Sequence, residues 1–510
     1  MTPLEESRIP VIVGVGQIND RPSEDSAGLD TLQLMKAALE IADRDAGGGW
    51  IKRIESLDVV DQMSWPTMTW PSIERIAPAL ADALEINPDH LGQTPDPSGD
   101  GPVRLINEAA IKIQSGKAEI AAIVGGEALR SGARRAALIK QETGRPADQS
   151  QTPELLRDVS ERNFRPLLRR YGLLTPIDIY PLFENACRAA WGQTLAQAQE
   201  ETARIWSDMS YVAAENSDAW IRRRYSPAEI MATSADNRMV GFPYNKLMIA
   251  NNSVNQGAAV IVTSARTARE AGIPESRLVY IGRGAAAHEP EDFLGRARYD
   301  YSPGMEVSLI RAMELNGLAA ADLDFVEFYS CFPCIPKMAR RIIGLPLEKP
   351  HSVYGGLTFG GAPIGNCMTH AAATMVNRLR ERGTHGLLYG NGGFATHNHS
   401  LVLTRSRSAS TPASFDFQND ADAKRDPVPR LVEHYRGPAQ LESFSVPFDR
   451  AGQPRFGIVI ARNPAGDRLV CHVPEADGDG LDFLMSGKTE PVGSYGRAIA
   501  GADGITLWQR

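Results

Sequence analysis

Two stretches of this chain repeat one another, and the repetition restricts the fold more than any single motif does. Gly99 to Ser131 reads GDGPVRLINEAAIKIQSGKAEIAAIVGGEALRS. Gly355 to Ser400 reads GGLTFGGAPIGNCMTHAAATMVNRLRERGTHGLLYGNGGFATHNHS. Each copy runs from a glycine loop through an amphipathic helix to a glycine stop (Gly116, Gly383), then an apolar strand and a glycine turn. The second helix is expected over Thr369–Arg382 and the strand after it over Leu387–Tyr389. Each copy also follows an earlier strand with a glycine exit, VIVGVGQ at Val11–Gln17 and VYIGRGA at Val279–Ala285. Repetition of this length predicts two similar α/β halves whose glycine loops face one another. Backbone N–H groups at a helix start lack partners inside the helix, so they can hold an anion or a polarised carbonyl oxygen. With His370, His397 and His399 close by, the facing loops predict a cleft.

Along the rest of the chain, Thr31–Asp43 has helical spacing, Ser56–Gln62 reads as a strand and Pro71–Leu84 as a helix. Trp191–Trp220 reads as two helices, and Met305–Asn316 as one ending at Gly317. Asp324–Phe328 is a short strand that delivers Tyr329, Ser330, Cys331 and Phe332 to its C-terminal end, where open α/β sheets place ligands. Cys331 and Cys334 form a C-x-x-C without a second pair, so no metal site is expected.

At 510 residues the chain is too long for one core, and two to four domains are expected. No apolar run reaches the length of a membrane span, and the start shows no secretory pattern. Five scattered cysteines fit a reducing compartment, so a cytoplasmic location is expected. A net charge of −8 argues against general nucleic-acid binding.

The ordered motifs resemble the thiolase superfamily, in particular the sterol-carrier-protein type and type 1 thiolase-like proteins. VGFPYNKLMIANNSVNQGAAVIVTSA (Val240–Ala265) is similar to the segment that closes the first half in sterol-carrier thiolases. EFYSCF (Glu327–Phe332) stands where those enzymes carry His-Asp-Cys-Phe, and GGLTFGGAPIG (Gly355–Gly365) where the family carries its Gly-His-Pro loop. The resemblance covers residues 8–405. It implies a thiolase fold, two α/β halves in five layers α-β-α-β-α, with the N-terminal half at 1–130 and 238–272. A loop domain would fill 131–237 and the C-terminal half 273–405. It also implies coenzyme A or an acyl-CoA thioester as ligand, with no further cofactor, and either a homodimer or a monomer.

Three departures from the family accompany this likeness. The nucleophilic cysteine position falls at Gly99, flanked by Ser98 and Asp100; the Gly-His-Pro histidine falls at Ala362; the second cysteine falls at or beside Tyr389. Claisen chemistry through an acyl-cysteine is therefore not expected. Tyr329, His370, Tyr389 and His397 become the candidate acid–base residues. Ser98, Gly99, Cys331, Gly361, Ala362, Asn366 and Gly392 are expected to line the substrate site. Arg134, Arg135, Arg169 and Arg223 represent three arginine clusters, the first of which also includes Arg130 and the second Arg165, one of which would hold the nucleotide end of CoA. Some superfamily members without the cysteine cleave β-hydroxyacyl thioesters by a retro-aldol reaction with tyrosine carrying the proton, and Tyr329 is the candidate for that role here.

Residues 406–429 read as a polar, proline-broken linker. Beyond it, LESFSVPFD, RFGIVIARN and RLVCHVP alternate like short strands. The segment 430–510 resembles the small OB-like β-barrel that type 1 thiolase-like proteins append. Nine Lys or Arg stand there against ten Asp or Glu, which gives no nucleic-acid footprint and leaves a contact surface for the body or a protein partner. A non-catalytic binding module acting through this domain is the third reading of the chain.

Overall fold

The computed structural model describes residues 6–66, 75–143, 166–407 and 414–510. The first half opens with β1 (Pro10–Asn19), α1 (Thr31–Asp45), β2 (Ser56–Val59), β3 (His90–Gln93), α2 (Gly101–Ser115) and β4 (Ile120–Ala128). An insertion follows with α3 (Pro176–Ala190), α4 (Leu195–Glu215), β5 (Met239–Phe242) and β6 (Tyr244–Asn245), and β7 (Asn255–Ser264) then completes the half. The second half comprises β8 (Val279–His288), α5 (Pro303–Leu315), β9 (Phe325–Phe328), α6 (Cys334–Ile343), α7 (Cys367–Glu381), β10 (His385–Gly392) and β11 (His397–Thr404).

These strands lie in the order β3-β2-β4-β7-β1-β8-β11-β10-β9. In the first half β2 runs parallel to β4, and β4, β7 and β1 alternate. The second half repeats the scheme, with β9 parallel to β10 and then β10, β11 and β8 alternating. The halves join where β1 and β8 pair briefly, Val11 with Tyr280 and Ile12 with Val279. Helices α2 and α7 pack on each other between the halves, while α1 covers the outer face of the first and α5 that of the second. The result is the five-layered thiolase arrangement.

Local chemistry explains the elements. Asp30 and Gln33 form a reciprocal cap on α1, whose Leu34, Met35, Ala38, Leu39 and Ala42 are buried against the sheet. Helix α2 stops at Gly116, which sits at φ +72°, a conformation that favours glycine. The glycines of the early strands are another matter. Expected as exits, Gly14 and Gly16 instead lie inside β1, and Gly282 and Gly284 inside β8. A Cβ on Gly16 would lie 2.6 Å from the Ala42 nitrogen, so these glycines let a helix backbone approach the strand. Trp191–Trp220 is also not two helices. Trp191 caps the end of α3, and α4 is a single 21-residue helix started by the Thr194–Gln197 capping box. No Gly or Pro interrupts Leu195–Glu215, so nothing in that stretch breaks it.

Strands β12 (Gly437–Pro447), β13 (Gly457–Arg462), β14 (Arg468–Val473), β15 (Tyr495–Ala500) and β16 (Thr506–Gln509) follow the order β13-β14-β16-β15-β12. Pairing of β12 with β13 closes them into a five-stranded barrel. The barrel is bound to the body at several points. Val446 of β12 pairs with Phe242 of β5. The fully buried Arg468 pairs with Glu442 and donates to the carbonyl oxygens of Leu294, Arg296 and Ala297. The stretch 406–429 differs from an open linker in its described part. Ala286 N–H donates to the Phe415 carbonyl and its own carbonyl accepts from Phe417 N–H, and Gln418–Asp422 forms a short helix with Ala421 buried. Phe415, Phe417 and Ala421 are few, yet all three face the second half. Residues 408–413 lie outside the described part.

Candidate functional site

Strand β9 ends at Phe328, and the next residue, Tyr329, is held by a 3.0 Å bond from its N–H to the Tyr389 carbonyl. Its ring lies against Gly99, just before α2. A Cβ built on Gly99 would be 2.6 Å from Tyr329 Cζ and would also overlap the Asn391 carbonyl oxygen. Tyr329 thus fills the space that a side chain at position 99 would need. It is only partly buried, whereas Tyr180, Cys331 and Cys367 around it are covered. Burial raises the phenol pKa well above its ordinary value, and the neighbouring Cys367 and Cys331 add to the effect. The Tyr329 phenol is therefore neutral at pH 7. Burial likewise pushes the Cys331 thiol up to about 12, so it is not a thiolate.

The loop from Gly355 to Asn366 forms the facing wall. Leu357 N–H donates to Ser330 Oγ at 3.1 Å and Ala362 N–H to the Asn251 carbonyl at 3.0 Å. Gly361 sits at φ +107° with its Cα against Gln256, where a side chain would clash. Asn366 precedes α7 and packs on Gly125 of β4; its amide is buried without a hydrogen-bond partner. On the opposite side Ser98 donates to the Asp100 carboxylate, and both press on Gly392. The helix start of each half therefore docks on the strand end of the other.

His397 opens β11 near this wall, with Nε2 3.0 Å from Glu291 and Nδ1 2.9 Å from His288 Nδ1. Burial opposes its protonation, but the bond to Glu291 and the fields of Asp100 and Asp96 outweigh that and raise its pKa. Two other candidates are placed differently from the expectation. His370 is fully buried, its Nδ1 2.9 Å from Gln17 Oε1 and its ring stacked on Tyr354; burial pushes it down to about 3. Tyr389 is also fully buried, with its hydroxyl donated to Asn398 at 2.7 Å. Helix packing in one case and strand packing in the other turns the side chain into the core. His399 is buried on Asn107 at 3.0 Å.

The arginines do not gather at one point. Arg134 is exposed, Arg135 donates to the Gly28 carbonyl, and Arg223 pairs with Glu229 and lies on Tyr225. Arg169 is exposed on a short helix whose next residue, Arg170, meets Glu433 of the C-terminal region. Arg165 lies outside the described residues. A grouping missed from sequence is Arg21, stacked 4.5 Å over Trp220, with Arg130 and Arg222 close enough to depress its pKa beyond what burial does. Tyr180 was missed as well. It comes from α3, donates to the Gly393 carbonyl at 3.0 Å and stacks on Phe332 at 4.4 Å. Neither residue stands in a local motif, and only the tertiary fold brings its partners near. Among the described residues no helix is long and apolar enough to cross a membrane.

Comparison with known proteins agrees with this geometry. Residues 417–501 match the family model described as thiolase-like protein type 1 additional C-terminal domain. The acetyl-CoA acetyltransferase of Schizosaccharomyces pombe is 27% identical over 171 residues, which are 32% of this chain and only 40% of that protein. A monomeric SCP2-thiolase-like protein type 1 from Mycobacterium smegmatis superposes with a TM-score of 0.80 at 26% identity, covering 98% of this chain and 99% of the other. The Ltp2-ChsH2(DUF35) aldolase gives a TM-score of 0.60 at 18% identity, covering 78% and 98%. The chain thus has the thiolase fold, is similar to a type 1 thiolase-like protein along nearly its whole length, and carries in residues 417–501 a match to the additional C-terminal domain of that type.

Proposed function

We propose that this protein binds CoA thioesters without performing thiolase chemistry, and that Tyr329 is its proton donor. The observation that carries the proposal is the ring of Tyr329 standing where a nucleophile on residue 99 would stand. Acyl transfer needs a covalent acceptor at that point, and a glycine beneath an aromatic ring offers none. The fit of the fold to acyl-CoA enzymes supports a thioester ligand. Its anionic end would lie against Arg21, Arg130 and Arg222, whose charges are only partly offset, by Asp25 on Arg130 and by Asp218 near Arg222. The Mycobacterium smegmatis relative is monomeric, and we extend that state to this chain.

A retro-aldol reaction suits a neutral phenol in this place. A base takes the proton of a β-hydroxyl, the Cα–Cβ bond breaks, and its electron pair moves to the thioester oxygen as an enolate. An acid held beside the former Cα then protonates that carbon of the enolate, leaving an aldehyde or ketone and a shorter acyl-CoA. Tyr329 would be that acid. The test is a panel of β-hydroxyacyl- and β-ketoacyl-CoA esters assayed with wild type, Tyr329→Phe and Cys331→Ala. Cleavage of a β-hydroxyacyl ester, lost in Tyr329→Phe and kept in Cys331→Ala, is the expected result. Thiolysis of acetoacetyl-CoA at about 1 s⁻¹ or faster, a normal enzymatic rate, would defeat the proposal.

A further inference from the structure

A retro-aldol cleavage needs a base for the β-hydroxyl proton as well as an acid, and Gly99 has groups of both kinds beside it. Its chain neighbours Ser98 and Asp100 each place a Cα ~3.8 Å from its own. Ser98 Oγ donates to Asp100 Oδ1, so the two side chains turn to one side of the loop. Both press on Gly392, where a Cβ would overlap Ser98 Oγ and lie 2.5 Å from Asp100 Oδ1. Gly99 itself faces the Tyr329 ring and the Asn391 carbonyl. The hydroxyl–carboxylate pair and the phenol therefore flank a single residue, at the C-terminal end of β10. Asp100 stands at the N-terminal flank of α2, yet its side chain caps no N–H of that helix. It is 5% exposed, and Ser98 is its one side-chain hydrogen-bond partner among the described residues. Ser98, in contrast, is partly open.

Other basic groups around Tyr329 are occupied or inert. Burial pushes the Cys331 thiol up to about 12 and raises Cys367 as well. Glu327 already accepts from Ser352 Oγ and from the Val353 and Tyr354 N–H groups. His397 has one ring nitrogen on Glu291 and the other on His288. We infer that Ser98 takes the proton of a substrate β-hydroxyl while passing its own to the Asp100 carboxylate, an inference that rests on the retro-aldol reading given above. Ser98 is the residue that touches the substrate, and Asp100 acts through it. As the proton leaves, the Cα–Cβ bond breaks and its electron pair forms the thioester enolate. Tyr329 then gives its proton to the former Cα. The proton held by Asp100 returns through Ser98 and water to the phenolate, so both groups are restored. The substrate class is thereby narrowed to thioesters with a free hydroxyl on Cβ.

The experiment assays the full-length chain with 3-hydroxybutyryl-CoA, 3-hydroxy-3-methylbutyryl-CoA and longer β-hydroxyacyl-CoA esters, following release of the aldehyde or ketone. Asp100→Asn keeps the side chain's size and an oxygen for Ser98 to donate to, but takes up no proton. It should lower kcat by about 10²–10⁴-fold and leave KM unchanged. Ser98→Ala should do the same, and Asp100→Glu should recover part of the rate. Melting curves and calorimetric CoA affinity should match wild type in the Asn and Ala variants. Losses there in step with kcat would show a packing role and overturn the inference. It is also overturned if Asp100→Asn or Ser98→Ala cleaves as fast as wild type while Tyr329→Phe is inactive; the retro-aldol reading then stands without this base. Cleavage that survives Tyr329→Phe and is lost in Asp100→Asn removes the phenol and keeps the base. A wild type that cleaves none of these esters removes both.

Discussion

Gly99 and Tyr329 share one volume: a Cβ on residue 99 would lie 2.4 Å from Cε2 and 2.6 Å from Cζ of the Tyr329 ring. Their relationship leads to the first prediction. Gly99→Ala places a methyl into the Tyr329 ring and the Asn391 carbonyl, and the carbonyl cannot rotate away. Overpacking of this kind costs about 1–3 kcal/mol. Urea denaturation should show that loss, and Gly99→Cys should restore no thiolysis.

A second prediction follows from Glu127, which is buried at the end of β4 and accepts from Met63 N–H and Ser64 Oγ. Burial pushes its carboxyl up to about 8, against an unfolded value near 4.5. A raised folded pKa means stability is fully present below the unfolded value and is lost as pH rises to about 8. The melting temperature of wild type should therefore fall across that window. Glu127→Gln should remove most of the fall, and identical slopes in the two proteins would contradict the assignment.

The third concerns Arg468. Replacing it by Met removes one cation from Glu442 and takes its donor from the Leu294 and Arg296 carbonyls, while the Ala297 carbonyl keeps Arg462. Breaking a buried pair from one side costs about 3–5 kcal/mol, moderated here because Arg462 also holds Glu442. Hydrogen exchange should then speed up in β12–β14 more than in β4 or β7. Uniform exchange across the chain would show that the barrel does not open separately.

A fourth tests the anionic end of the ligand. Arg21→Glu with Arg222→Glu should weaken calorimetric CoA binding by at least tenfold, while Arg223→Glu, whose partner is Glu229, should have a small effect. Equal affinities in all three proteins would place the nucleotide elsewhere.

The repeat was legible because a glycine stop, an amphipathic helix and an apolar strand in fixed order have few other solutions. Gly116 could be read from sequence, since a helix terminator is a local event. Gly16 could not, since a glycine under a packed helix and a glycine in a turn look alike until the helix is placed. The same limit hid Tyr180 and Arg21, whose partners lie about 200 residues away. It also misplaced His370, where helical spacing gave the element but not which neighbour its face would meet. The barrel strands announced themselves by alternation. Their closure through β12 and β13 did not, because register across a barrel depends on every strand together.

The pairing of β5 with β12 has a practical outcome for anyone dividing this chain. A version stopped at residue 405 would keep β5 but lose the strand that covers its edge, and would uncover α3, where Leu182 and Asn185 now bond to Ser443 and Phe444. Bare strand edges recruit other chains. Such a truncated protein would self-associate and precipitate during purification, so fragment work on the thiolase-fold body requires the barrel to be supplied with it.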